Sequence, residues 1–158
     1  MRLKLICVGK AKSAPEQLAS VYIERIKGYG QLSVIEVAET RYVQSPGPGE
    51  RDRVLAAEGA RILAKLEAKD HVVALDERGR EFTSEAFAAY LQEHALRGAS
   101  TFAFVIGGSL GLSPEVKARA DLCLSLSKFT LPHLLARVVL LEQLYRAFTI
   151  LRGEPYHK

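Results

Sequence analysis

Short apolar runs alternate along the chain with longer stretches that are apolar on one side only. Leu3, Leu5 and Cys7 alternate with Lys4, Ile6 and Val8, a pattern that predicts a first strand ending at Gly9. Ser13-Ala-Pro-Glu16 has the spacing of a capping box, and Leu18, Val21, Tyr22 and Ile26 follow at helical intervals until Gly28 and Gly30 stop the helix. Residues 32–37 read as a second strand. Residues 40–49, which include Ser45-Pro-Gly-Pro-Gly49, read as irregular loop. Residues 50–68 read as a helix with Leu55, Ile62, Leu63 and Leu66 on one side. Residues 71–76 form a short apolar strand and 77–80 its turn, after which Thr83 or Ser84 caps a helix to about His94. Residues 101–106 are a buried strand that runs into Gly107-Gly108, and Ser113-Pro114 starts another helix. A strand over 122–126, a last helix from Pro132 to about Arg152 and a tail over 153–158 complete the pattern. Such alternation predicts an α/β fold, a mostly parallel sheet flanked by helices. No repeat or linker divides residues 1–158, so one domain is expected.

Composition narrows the class. Apolar residues make up 48% and charged residues 25%, which excludes a disordered chain. No apolar run approaches the roughly 18 residues of a membrane span, and the first ten residues alternate rather than forming a secretory signal. Cys7 and Cys123 each fall in a strand and read as buried free thiols. Neither has a His or Cys at ligand spacing, so no metal is expected, and a reducing, cytoplasmic home follows. The net charge of +4 is uneven: residues 1–30 carry +4, residues 128–158 carry +3 and the middle −3. Basic ends suit a polyanion if they meet in space; a solvated basic surface is the plainer alternative.

Two loops hold candidate chemistry. Gly107-Gly108-Ser109-Leu110-Gly111 lies between a strand and a capped helix, where backbone can approach a ligand closely. It is not G-x-G-x-x-G, no acidic residue ends the next strand, and no P-loop Lys follows, so neither a dinucleotide nor a nucleoside triphosphate is favoured. A plain tight turn is the alternative. Leu126-Ser-Lys-Phe-Thr-Leu-Pro-His133 also joins a strand to a helix. Free amides at that helix start favour a carboxylate or carbonyl, unless Thr130 simply caps the helix. In the last helix, Leu134, Val138, Leu141, Tyr145 and Phe148 form one apolar face, and Leu135, Val139, Leu140, Leu144 and Leu151 a second. The second face suggests a subunit interface, and Arg137, Glu142, Arg146 and Arg152 are expected in polar surroundings.

The stretches VVALD (72–76), FVIGGSLGLSP (104–114), LSLSKFTLPH (124–133), RVVLLEQLYRAF (137–148) and GEPYHK (153–158) resemble the RlmH family, the 23S ribosomal RNA pseudouridine N3-methyltransferases of the SPOUT superfamily. The resemblance covers the whole chain. It implies a SPOUT-type fold with a C-terminal trefoil knot, a homodimer, S-adenosylmethionine as cofactor and 23S rRNA in the assembled ribosome as substrate. Carried over by motif, the cofactor would contact Leu75, Gly107, Gly108, Leu126, Ser127, Lys128, Phe129, Thr130 and Leu131. Some relatives have Pro-Glu where this chain has Ser109-Leu110, so no catalytic carboxylate is assigned to that loop. The tail supplies the catalytic candidates: His157 as base or proton relay, Tyr156 to stack on or bond the base, and Arg152 and Lys158 for phosphate or the anionic base. A frayed terminus is the bland alternative, and in a dimer the tail would complete the neighbour's site. His133 reads as a loop-locking hydrogen bonder, His71 and His94 as structural or surface residues. Arg2, Lys4, Lys10, Lys12, Arg25 and Lys27 would add phosphate contacts only. The competing readings are a SPOUT methyltransferase for another RNA base and a non-enzymatic ribosome-binding factor.

Overall fold

In the computed structural model, which describes residues 1–10 and 13–158 (Ser13 by its backbone alone), five strands make one sheet. They are β1 (Arg2–Val8), β2 (Gln31–Val37), β3 (His71–Glu81), β4 (Thr101–Ile106) and β5 (Leu122–Ser125). Their order is β2-β1-β4-β3-β5 and every pairing is parallel. The helices are α1 (Ser13–Ile26), α2 (Pro48–Leu63), α3 (Ser84–Leu96), α4 (Pro114–Arg119) and α5 (His133–Leu151). The expected parallel α/β architecture is therefore present. The side chain of Ser13, on which the capping box depends, and the basic Lys12 lie outside what the structure describes.

The period of two in the strands sorts the core into two layers. Leu3, Leu5, Cys7, Val73, Phe102, Phe104 and Ile106 face α1, α3 and α5. Ile6, Val8, Val72, Ala74, Ala103 and Val105 face the other way, with Ile62, Leu112 and Val116. β4 is buried along its whole length, as a central parallel strand must be. Phe104 is fully buried, so Phe104→Ala should cost about 3–5 kcal/mol in a denaturant titration.

Several expectations need correction. Regular structure starts inside the supposed loop, because Gly47 is the N-cap of α2 and Pro48 takes the first helical position. That helix ends at Leu63, with Ala64 as its C-cap, rather than at 68. Residues 77–80 are not a simple turn. Leu75 and Arg80 both pair with Leu124, so residues 76–79 loop out and the chain returns to the same strand edge. Gly79 is required there, since a Cβ would overlap the Cys123 carbonyl. Cys123 is only half-buried.

The last helix differs most. Arg137, expected in polar surroundings, is buried and pairs with Glu36 of β2 at 2.8 Å. The second apolar face does not await a partner subunit in full, because Leu140 and Leu144 are completely buried inside the chain. α5 lies between α1 and α3, so neighbours cover both flanks of it. Leu135 stays 44% exposed, and Val139 and Leu151 are half-buried. Lys4 is not free for phosphate either: it pairs with buried Asp70 at 2.7 Å and with Glu67 at 3.5 Å. His71 and His94 are structural, joined through Tyr90 at 2.6 Å to its hydroxyl and 3.0 Å to its carbonyl.

Candidate active site

Three strands end on one edge of the sheet, and the loops that leave them enclose a cavity of about 800 Å³. β3 contributes Leu75, Asp76, Glu77 and Arg78; the turn after β4 contributes Ile106 to Leu112; the segment after β5 contributes Leu126, Ser127 and Phe129 to His133. Arg51 and Leu55 of α2 and Lys117 of α4 close the rim. The position is the one that parallel sheets reserve for ligands, beyond the carboxyl ends of the strands, and the volume suits a ligand of nucleoside size.

The glycine loop is a tight turn as well as a wall of the cavity. The Gly111 amide donates to the Gly108 carbonyl at 3.0 Å, and the two residues form a bridge. Gly111 has φ +89, which only glycine adopts readily. A Cβ on Gly107 would overlap the Gly111 carbonyl, so this glycine is set by the loop's own packing. The loop ends at Ser113, whose hydroxyl accepts from the Val116 amide at 3.3 Å and caps α4.

Of the nine residues assigned to the cofactor, Leu75, Gly107, Gly108, Leu126, Ser127, Phe129, Thr130 and Leu131 line the cavity. Lys128 does not; it is exposed and turns to Glu81 at 3.9 Å. Thr130 does not cap α5, whose N-cap is Pro132 with no side-chain bond. Its hydroxyl donates instead to Glu77 at 2.5 Å, tying the β5 loop to the β3 loop. The Ser127 hydroxyl accepts from the Phe129 amide at 3.0 Å, which folds the loop back and leaves the Phe129 ring 83% exposed. His133 lines the cavity with its ring beside Gly9.

Sequence reasoning missed Asp76 and Lys117, which form an ion pair on the cavity rim. Burial works against ionisation of Asp76, but the Lys117 ammonium and the Arg78 amide outweigh it and hold the carboxyl below its usual range. The signal was only the acidic end of an apolar strand. Arg51 and Leu55, four apart on α2, were also missed as cavity residues.

The tail folds back along α5 as far as Glu142. Tyr156 donates to Glu142 at 3.0 Å and packs edge-on against Tyr145. Burial, then bonds to Tyr22 and Glu142, push its phenol well above the ordinary range, so it stays protonated. His157 bonds Glu85 at 2.7 Å and lies 3.4 Å from Arg146, which itself clasps Glu142 at 2.5 and 3.0 Å. Arg152 stacks over the Tyr29 ring at 4.4 Å, the Tyr29 hydroxyl bonds Glu154, and Lys158 is exposed. Glu142 and Arg146, one helical turn apart, lie in the polar surroundings expected of them and organise the tail, a role the sequence reading did not assign. The four tail candidates are thus gathered at one place, but none lines the cavity. Glu142 and Arg146, which hold the tail, lie about 9 and 15 Å further along α5 than Ala136, which still lines the cavity.

Among the described residues no group of His, Cys, Asp and Glu is arranged to hold a metal, and no helix is long and apolar enough to cross a membrane. A glycine turn, a backbone-rich wall and a parallel sheet match one class: residues 1–157 fit the family of predicted SPOUT methyltransferases. Full-length relatives named "Ribosomal RNA large subunit methyltransferase H" are 47% identical in Carboxydothermus hydrogenoformans, 45% in Limosilactobacillus fermentum and 42% in Streptococcus gordonii, each alignment covering 100% of both chains. The chain belongs to the ribosomal RNA large subunit methyltransferase H family of SPOUT proteins. Among solved structures, the SpoU methyltransferase AviRb from Streptomyces viridochromogenes, in complex with AdoMet, aligns with 97% of this chain and 59% of its own. Its TM-score of 0.46 and 17% identity make that likeness too loose to bear on the site.

Proposed function

We propose that the protein methylates N3 of a pseudouridine in 23S rRNA of the assembled ribosome, using S-adenosylmethionine. The observation that carries this reading is the cavity itself, walled by eight of the nine residues assigned to the cofactor. The residues present fit that cofactor. Main chain and apolar side chains dominate the β4 and β5 loops, as an uncharged adenine needs, and the uncapped start of α5 suits a carboxylate. Leu75, Gly107, Gly108, Leu126, Ser127, Phe129, Thr130 and Leu131 would hold it. When bound, it supplies an activated methyl group on a sulfonium.

The chain's own residues then have to orient the base and take its proton. His157 is the proton acceptor in this proposal. Glu85 orients its ring through Nε2, and Nδ1, 3.4 Å from Arg146, is the nitrogen left to take the proton once that contact opens. Tyr156, kept protonated, donates to or stacks on the base, while Arg152 and Lys158 meet phosphate. Because no tail residue lines the cavity of its own subunit, the proposal takes the protein as a homodimer in which one subunit's tail completes the other's cavity. Exposed Phe129 and Leu135 beside the cavity supply apolar surface for that contact. A single domain over residues 1–158, the C-terminal knot and a cytoplasmic place on the ribosome belong to the same proposal.

The test is transfer of labelled methyl to intact ribosomes and to free rRNA, followed by mapping of the modified nucleotide. Label on a 23S pseudouridine, in ribosomes only and weakening steeply with salt, is the expected result. Label on another base points to a different SPOUT specificity. Failure to bind S-adenosylmethionine in calorimetry points to a ribosome-binding factor.

A further inference from the structure

Behind the cavity, α2 carries a carboxyl that the proposed reaction does not use. Glu58 is 3% exposed. Its Oε1 accepts the Thr40 amide at 2.9 Å, at the head of the segment that leads from β2 to α2. Its Oε2 is buried and has no hydrogen-bond partner. Gly108 lies so close to this oxygen that a Cβ there would stand 2.9 Å from it. The next residue, Gly59, presses on the far end of the same loop, since a Cβ on Gly59 would overlap the Ser113 hydroxyl. One and two turns earlier on α2, Leu55 and Arg51 line the cavity. The helix therefore supports the 108–113 loop from behind at both ends.

We propose that Glu58 is a positioning residue for the cofactor cavity, its carboxyl joining the Thr40 segment to the back of the Gly108 turn and fixing that turn's backbone for the ligand. A bare carboxylate in such a place would be costly. Burial pushes the Glu58 carboxyl up, opposed by the Thr40 amide; Glu39 adds to the rise, and Arg61 and His133 act against it. A neutral carboxyl has one O–H to give and can still accept from Thr40. The tether is then a hydrogen bond on the Thr40 side and close packing on the Gly108 side, without a charge. The inference rests on the reading of this cavity as the cofactor site.

The test uses the full chain with Glu58→Gln and Glu58→Leu, and reads both S-adenosylmethionine affinity and amide hydrogen exchange. Glutamine keeps a donor and an acceptor, so its affinity should stay near wild type. Leucine should weaken cofactor binding roughly two- to twelve-fold, as expected for one lost buried hydrogen bond, while KM for ribosomes holds. Leucine should also raise exchange at Thr40 and over residues 108–112 without any ligand. Should the leucine variant not fold, Gly108→Ala presses on the same contact from the loop side and should raise exchange at Thr40. Unchanged exchange at both segments, or a glutamine variant as weak as leucine, overturns the inference. A wild-type chain that binds no S-adenosylmethionine overturns the cavity reading instead, and the exchange data still judge the tether.

Discussion

The thiol of Cys7 lies in the buried face of β1, and burial pushes it up to about 12, against the pull of nearby Arg137 and with a smaller push from Glu36. Thiolate is the reactive form, so Cys7 should resist iodoacetamide at mildly alkaline pH in the native protein. Mass spectrometry of the alkylated chain checks this; rapid labelling of native Cys7 would contradict it. Glu58 makes a pH prediction. Its carboxyl is raised in the fold, so the folded chain keeps a proton that the unfolded chain releases. That contribution is complete below the ordinary carboxylate range and is lost as pH climbs through the raised value. Glu58→Gln does not titrate, so its melting temperature should rise relative to wild type as pH climbs above the ordinary carboxylate range. Single residues were the least legible part of the sequence. Glu58 looks like any helix glutamate, and only the packing of Gly108 against it marks it out. Arg137 was misplaced because a guanidinium can be buried once a strand from far away supplies Glu36.

At the scale of elements, the strands and helices were readable because period-two and helical spacings are local. The errors fell where long-range partners decide. Residues 76–79 loop out because β5 accepts β3 again at Arg80, and no local signal announces that. The faces of α5 were seen, but α1 and α3, which enclose it, are brought there by the fold. The tail is held by the same enclosure. The Tyr29 hydroxyl, at the end of the turn after α1, bonds Glu154, and its ring stacks on Phe148 at 5.5 Å. Tyr29→Phe keeps the stacking and removes the bond. Methyl transfer should then fall on the order of tenfold to a hundredfold, the effect of moving a reacting group by about 1 Å, with cofactor affinity unchanged. Equal rates in assays at saturating S-adenosylmethionine would show that this anchor does not set the tail.

At the scale of the molecule, the residues assigned to one reaction fall in two places. The motifs on either side of α5 were legible in the sequence, but their separation was not, since it depends on the tail's contacts with Glu142 and Arg146, which hold it outside the cavity. In the proposed dimer the reaction takes its cavity from one copy and its tail from the other. Deleting residues 154–158 should leave cofactor binding nearly intact and abolish transfer. Substituting Gly107 with valine, whose side chain would collide with the Gly111 carbonyl, should abolish cofactor binding and leave the tail sound. Each variant alone is then inactive. Co-expressed and purified as a mixed dimer, they pair one sound cavity with one sound tail. The account predicts that methyl transfer to ribosomes returns in the mixed dimer; a verified mixed dimer that stays as inactive as its parents would contradict it.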